Sequence, residues 1–133
     1  MKAVFADSFF FLALINISDS AHSRAAEISR KLTCQRVTTA WVLTEVADAL
    51  AHGKNRAAFL DLLAFLKHSP SLTILPPSQD LFDRGVELYA RRLDKDWSLT
   101  DCISFVVMAD EEISDALTAD RHFEQAGFNL LLK

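Results

Sequence analysis

Four acidic residues, each in a different part of the chain, have the types and settings that could do chemistry: Asp7, Glu45, Asp101 and Asp120. Asp7 follows the apolar run KAVFA, Asp120 follows DALTA, and Asp101 lies inside WSLTDCISFVVMA. An ionised carboxylate is costly to bury beside apolar surface unless something compensates its charge. A hard divalent cation would compensate several at once, and oxygen ligands suit Mg²⁺ first and Mn²⁺ second.

The mutual repulsion of these acids helps to decide whether they only cap helices or surround a cation. Ser98 and Asp101 have the S-x-x-D spacing of a capping box, Asp120 could cap the last helix, and Glu45 could be an ordinary residue at the flank of an apolar helix face. A cap contributes about 1 kcal/mol. Two unit charges about 5 Å apart at an effective dielectric of about 20 repel by roughly 3 kcal/mol. If the four carboxylates converge, a cation or a proton must therefore compensate them.

A divalent cation held by carboxylates is suited to cleaving phosphodiester bonds, because it polarises the phosphoryl oxygen and lowers the pKa of a bound water. The chain has no GxxxxGK[ST] loop, which disfavours nucleotide hydrolysis of that kind. The four histidines show no metal-ligand spacing, and even His122, close to Asp120, is interpreted as a surface residue. Seven cations could follow a phosphate backbone or simply be solvated: Arg24, Arg30, Lys31, Arg36, Arg91, Arg92 and Lys95.

The hydrophobic periodicity predicts the elements that must position the acids. Strands are predicted at 2–6, 36–39, 72–75, 115–119 and 128–132, and helices soon after Asp7, at 21–32, 40–52 and 55–68, from Ser78 or Asp80 to Leu93, from Ser98, and from Asp120 to Ala126. This alternation predicts a mostly parallel sheet covered on both faces, a three-layer α/β/α sandwich. Because ligands bind at the carboxyl ends of such strands, we expect the four acids to meet at one edge.

Length and composition limit the possible protein classes. With 133 residues, half of them apolar, and only three Gly and three Pro, the chain is expected to be a single domain over residues 1–133. Cys34 and Cys102 have no CxxC partner and fit a reducing compartment. The apolar segment 9–15 is much shorter than the ~20 residues of a membrane span. We therefore predict a soluble, cytoplasmic protein.

The net charge of −4 argues against binding nucleic acid by phosphate neutralisation alone. The chain has 18 acids and 14 Lys plus Arg. If the four candidate acids hold a cation, the acids and bases elsewhere are equal in number, so the rest of the surface is neutral overall.

Four segments together resemble the PIN-domain family, specifically its short VapC-like toxin ribonucleases: VFADSFFFLAL, TTAWVLTEVADAL, DWSLTDCISFVVM and ALTADRHFEQAGF. The resemblance covers nearly the whole chain. It implies a PIN-like fold and an Mg²⁺- or Mn²⁺-dependent endoribonuclease, in which Asp7, Glu45, Asp101 and Asp120 are the catalytic, metal-binding residues. It also implies an RNA substrate, a homodimer and a cognate antitoxin protein that blocks the site.

Two other functions stay open at this point. A phosphoacceptor receiver-like signalling module is also a small α/β domain with acids at its strand ends, but it expects a lysine near the end of the last strand, where only Lys133 is available. A PIN-like scaffold that binds a partner without cutting would keep the same fold.

Overall fold

The computed structural model describes residues 3–133, whose strands form one five-stranded sheet. The strands are β1 (Ala3–Ala6), β2 (Gln35–Thr39), β3 (Leu72–Leu75), β4 (Asp115–Leu117) and β5 (Asn129–Leu130). The helices are α1 (Ser8–Ile15), α2 (His22–Lys31), α3 (Ala40–Ala49), α4 (Asn55–Lys67), α5 (Gln79–Arg91), α6 (Leu99–Asp110) and α7 (Arg121–Gln125). All pairings between these strands are parallel, so the predicted α/β/α fold class is confirmed.

The central strand β1 explains why the sheet needs helices on both faces. Val4, Phe5 and Ala6 point alternately to the two faces, and all three are completely buried. A continuous apolar run of this kind is typical of a parallel strand covered on both sides. Lys2, with which the predicted first strand begins, lies outside the described residues.

The order of the strands in the sheet is β3-β2-β1-β4-β5. The chain runs outward from β1 to β2 and β3, and then returns to place β4 on the other side of β1. The direction of winding therefore reverses between β1 and β4, where Ala6 is paired with Leu117. In open α/β sheets the crevice outside the carboxyl ends of the strands at such a reversal is where ligands bind.

The helix ends follow the polar residues of the sequence, with some differences. Ser98 and Asp101 form the predicted capping box of α6, and Ser78 rather than Asp80 caps α5. Helix α3 ends at Ala49, earlier than predicted. Strand β4 ends two residues before the predicted Ala119, because the amide of Thr118 donates to the carbonyl of Ala116 and turns the chain.

The cysteines and the helix lengths bear on the expectations drawn from composition. Both cysteines are free thiols, and Cys102 is buried while Cys34 is half-buried. Within residues 3–133, the helices are too short or too polar to cross a membrane.

Candidate active site

A cavity of about 380 Å³ contains all four predicted acids in its lining. Asp7 follows β1 directly and Asp120 comes shortly after β4, so the cavity lies at the carboxyl edge of the sheet where the winding reverses. Glu45 comes from α3 and Asp101 from the first turn of α6. The complete lining is Asp7, Ser8, Phe9, Leu12, Glu45, Asp96, Ser98, Asp101, Asp120 and His122.

Asp7 is the most buried of the four acids, with 4% of its surface exposed. It occupies the N-cap position of α1, but its side chain makes no capping hydrogen bond. Instead, the Thr118 hydroxyl donates to Asp7 Oδ2 at 2.9 Å, which joins the chain after β1 to the chain after β4. Burial raises the pKa of Asp7 to about 7, although the bond from Thr118 acts in the opposite direction. The carboxyl is thus placed in the cavity rather than used for capping.

Glu45 is half-buried on the side of α3 that faces α1. The Ser8 hydroxyl donates a hydrogen bond to its carboxylate Oε1. Burial raises the pKa of Glu45, and repulsion from Asp101 and Asp120 adds to the effect. Asp48, one turn further along the helix, is exposed. The charge of Glu45 therefore acts within the cavity, whereas Asp48 lies on the surface.

Asp101 caps α6 and faces the cavity at the same time. Its amide donates to Ser98 Oγ at 3.0 Å, and its Oδ2 accepts from the Ser98 amide at 3.3 Å. The same Oδ2 lies 3.1 Å from Nδ1 of His122. Burial raises the pKa of Asp101, while the contact with His122 lowers it. Asp101 can therefore complete the cap with Oδ2 and still offer Oδ1 to the cavity, because within residues 3–133 its Oδ1 makes no hydrogen bond.

Asp120 and His122 lie at the start of α7 and line the same cavity. Asp120 Oδ1 accepts from the amide of His122 at 2.9 Å, so it caps α7. His122 Nδ1 lies 3.5 Å from the same oxygen, and only 25% of the imidazole is exposed. The interpretation of His122 as a surface histidine is wrong, because the first turn of α7 directs its ring toward Asp101.

The donor atoms of Asp101, Asp120 and His122 lie within 4.8 Å of one another, close enough to share one metal ion. Neighbouring ligands of an octahedral ion with bonds of about 2.1 Å are about 3 Å apart. The Nδ1 distances of 3.1 and 3.5 Å to the two carboxylates are close to that spacing. An imidazole nitrogen thus lies in the same group as two of the predicted carboxylates, whereas the prediction from the sequence used oxygen ligands alone.

Two lining residues, His122 and Asp96, were not selected from the sequence. Asp96 lies in the loop between α5 and α6, one residue before Trp97, and adds a fifth carboxylate to the cavity. Its sequence setting, between a lysine and a tryptophan, is that of a solvated loop acid. For His122 the two-residue spacing from Asp120 was a usable signal, since a capping acid and the second residue of the helix lie on the same turn.

The sequence matches the PIN domain family model over residues 4–129. The 23S rRNA-specific endonuclease VapC20 of Mycobacterium tuberculosis is 27% identical to this chain over 125 residues. The aligned part is 94% of this chain and 95% of VapC20. The same relative is found in the CDC 1551/Oshkosh and H37Rv strains.

Solved structures resemble this chain over almost its full length. The crystal structure of M. tuberculosis VapC20, a sarcin-ricin loop cleaving toxin, has a TM-score of 0.86 and 26% identity, with 94% of this chain and 95% of that chain covered. VapBC2 from Rickettsia felis, bound to a DNA fragment from the promoter, has a TM-score of 0.68 and 16% identity, with 96% of each chain covered. The second likeness concerns the fold alone.

Proposed function

This chain belongs to the PIN-domain family, and from that membership we propose that it is a cytoplasmic, divalent-metal-dependent endoribonuclease, the toxin of a toxin–antitoxin pair. The observation that carries the proposal is the gathering of Asp7, Glu45, Asp101 and Asp120 around one cavity. Burial raises the pKa values of Asp7, Glu45 and Asp101, and repulsion from neighbouring carboxylates adds to the effect, which supports a cation as the compensating charge. The endonuclease relative aligned over most of the chain supports RNA as the substrate.

The four acids would hold the ion, with His122 as a further ligand. When bound, the ion would polarise a phosphoryl oxygen and lower the pKa of an attacking water. The neighbouring hydroxyls keep the carboxylates in place: Thr118 fixes Asp7, and Ser8 fixes Glu45. Contacts of this kind orient ligating carboxylates and strengthen metal binding. A nitrogen donor favours a transition ion over Mg²⁺, so we propose that Mn²⁺ binds at least as well as Mg²⁺.

The test is cleavage of 23S rRNA, the substrate of the relative, by purified protein with Mg²⁺ or Mn²⁺. We expect Asp7→Asn and Asp101→Asn each to slow cleavage about 100-fold or more, since each removes a charged ligand of the ion. Asp48→Asn is the matched control, because Asp48 is an exposed acid on the same helix as Glu45. Cleavage at the wild-type rate by both site variants would refute the proposal.

The alternative functions have less support. Lys133, the one candidate for the lysine of a receiver-like module, is 68% exposed and pairs with Glu124 at 2.7 Å. It does not line the acidic cavity. RNA binding without cleavage in any divalent ion would favour the non-cleaving scaffold instead.

We propose that a cognate antitoxin blocks the acidic cavity by occupying a groove that leads into it. A cavity of about 570 Å³ between α1, α3 and α4 shares Leu12 with the acidic cavity. Its other lining residues include Ile15, Leu50 and Ala58, which offer apolar surface to a protein segment. A segment lying there would reach the acids directly.

We also propose a homodimer, as the PIN-domain resemblance implies. Sedimentation equilibrium would show it as a species of twice the chain mass.

A further inference from the structure

A small cavity of about 140 Å³ adjoins the acidic cavity across the loop between α5 and α6. Consecutive residues of this loop alternate between the two cavities. Lys95 and Trp97 line the small cavity, whereas Asp96 and Ser98 line the acidic one. The first turn of α6 divides in the same way, with Cys102 on one side and Asp101 on the other. The two cavities therefore lie on opposite sides of this loop.

The lining of the small cavity combines cations with aromatic rings, in contrast to the acids next to it. Its residues are Tyr89, Arg92, Leu93, Lys95, Trp97 and Cys102. The guanidinium of Arg92 lies 5.0 Å from the centre of the Trp97 ring, and it also pairs with Asp94 at 3.0 Å. Lys95 has no ion-pair partner among residues 3–133. One cation is thus fixed as part of the wall, and the other is available to a ligand.

The two rings have different roles in this cavity. Trp97 is 6% exposed, and its Nε1 donates to Gln125 Oε1 at 3.1 Å, so it is a fixed part of the wall. Tyr89 is 50% exposed at the end of α5, and its ring is accessible to solvent. A half-exposed ring beside a free ammonium group is the combination that binds single-stranded nucleic acid, because a base stacks on the ring and the cation contacts a phosphate.

Three of the other cations that could have followed a phosphate backbone, Arg24, Lys31 and Arg36, have different settings. Arg24 and Lys31 line a cavity on α2 together with Glu27, and Lys31 pairs with that acid at 2.7 Å. Arg36 donates to the carbonyl of Ser29, and its Nε is buried. In a chain of net charge −4, the small cavity thus places the ammonium group of Lys95 beside the acidic cavity.

We propose that the small cavity binds a nucleotide of the RNA strand next to the scissile phosphodiester, with its base on Tyr89 and its phosphate on Lys95. This inference rests on the proposed ribonuclease function, since it assigns to the same substrate a contact outside the ion site. The contact would set the register of the strand, because it holds the RNA at a fixed distance from the acids.

The test measures RNA binding rather than cleavage. The probe is a fluorescein-labelled single-stranded RNA of about 12 nucleotides, in EDTA and low salt so that cleavage does not occur. We expect Tyr89→Ala to weaken binding about tenfold, since loss of one stacked base costs about that much. Tyr89→Phe keeps the ring and should bind as the wild type does. Lys95→Ala should make the slope of log affinity against log salt shallower by about 0.7.

Phe65→Ala and Lys67→Ala are the matched controls, because they remove an exposed ring and an exposed cation from α4. Wild-type affinity and salt slope in both cavity variants would overturn the inference, as would equal losses in the α4 controls. The result is separate from the cleavage test. A wild-type protein that cuts RNA while Tyr89→Ala binds normally refutes only the nucleotide site, and a protein that does not cut but shows the expected binding losses refutes only the nuclease.

Discussion

Asp7 shows how strongly a single residue of this site is shaped by its surroundings. It is 4% exposed, and burial raises its pKa from 3.8 to about 7. The folded, metal-free protein therefore holds the Asp7 proton more tightly than the unfolded chain does. The contribution of Asp7 to stability is highest where Asp7 is protonated in both states, and this contribution falls as the pH rises from 3.8 through about 7.

Asp7→Asn should remove this loss of stability, because the amide is uncharged at every pH and its oxygen can still accept from Thr118. We expect the variant to be more stable than the wild type at pH 8 by roughly 4 kcal/mol in EDTA, with a smaller difference at pH 5. Urea unfolding at the two pH values measures it. Identical pH dependence in the two proteins would contradict the buried-acid account.

His122 gives a second prediction at the residue scale. If its imidazole is an ion ligand, His122→Asn should weaken Mn²⁺ binding about tenfold and Mg²⁺ binding less, because nitrogen donors favour transition ions. Calorimetric titration with each ion measures both affinities without any RNA. His52→Asn, at an exposed position, is the control. Equal losses for the two ions would mean that His122 only orients Asp101.

The sequence allowed the four acids to be selected but not all of their neighbours. Asp7 and Asp120 were predictable because they follow apolar strands, and Asp101 because it follows a cap signal before an apolar helix. The position of the His122 ring was not predictable, since it depends on the direction of a short helix capped by Asp120. Asp96 depends on the path of the α5–α6 loop, for which the sequence carries no periodic signal.

At the scale of elements, the packing of α5 against α6 controls the loop that separates the two cavities. Gly85 makes this packing close: a Cβ at that position would lie 2.4 Å from Ile103 Cγ1 and 3.4 Å from Ile103 Cα. Helices approach this closely only where one of them lacks a side chain. Gly85 therefore allows the close approach of the two helices that the loop connects.

We expect Gly85→Ala to destabilise the protein by roughly 1–2 kcal/mol, because overpacking of about 2–3 kcal/mol outweighs the gain of about 1 kcal/mol in helix propensity. Urea unfolding gives the difference. Ile103→Ala removes the colliding atom, so the two substitutions together should cost less than the sum of their separate effects. A Gly85→Ala protein as stable as the wild type would show that α5 shifts freely.

Elements followed by a proline were predicted well, whereas the last two strands were not bounded correctly. Helix α4 and strand β3 agree with the prediction to within one residue, since Pro70 and Pro76 limit them. Strands β4 and β5 are shorter than predicted, because apolar residues continue beyond the last ladder bond. The amides of Leu131 and Leu132 still donate to the carbonyls of Ala116 and Thr118. The apolar pattern therefore predicts that these residues contact the neighbouring strand, but not where the regular ladder ends.

At the scale of the molecule, the winding of the sheet is what assembles the site. Residues as distant as Asp7 and Thr118 become hydrogen-bonded neighbours because β4 returns beside β1. The same arrangement concentrates five carboxylates in one cavity of a chain with net charge −4. Under the proposed function, the negative charge of that cavity weakens RNA binding until cations neutralise it, so divalent ions should strengthen substrate binding as well as support cleavage.

The double use of Asp101, as both the cap of α6 and a wall of the cavity, has an evolutionary consequence. A family member without the proposed nuclease activity would be free to replace Glu45, which has no part in capping a helix. It would still gain from keeping Asp101, since that carboxylate completes the capping box of α6 with Ser98. The survival of this aspartate in a relative is therefore weak grounds for inferring a working enzyme, and the glutamate is the better diagnostic.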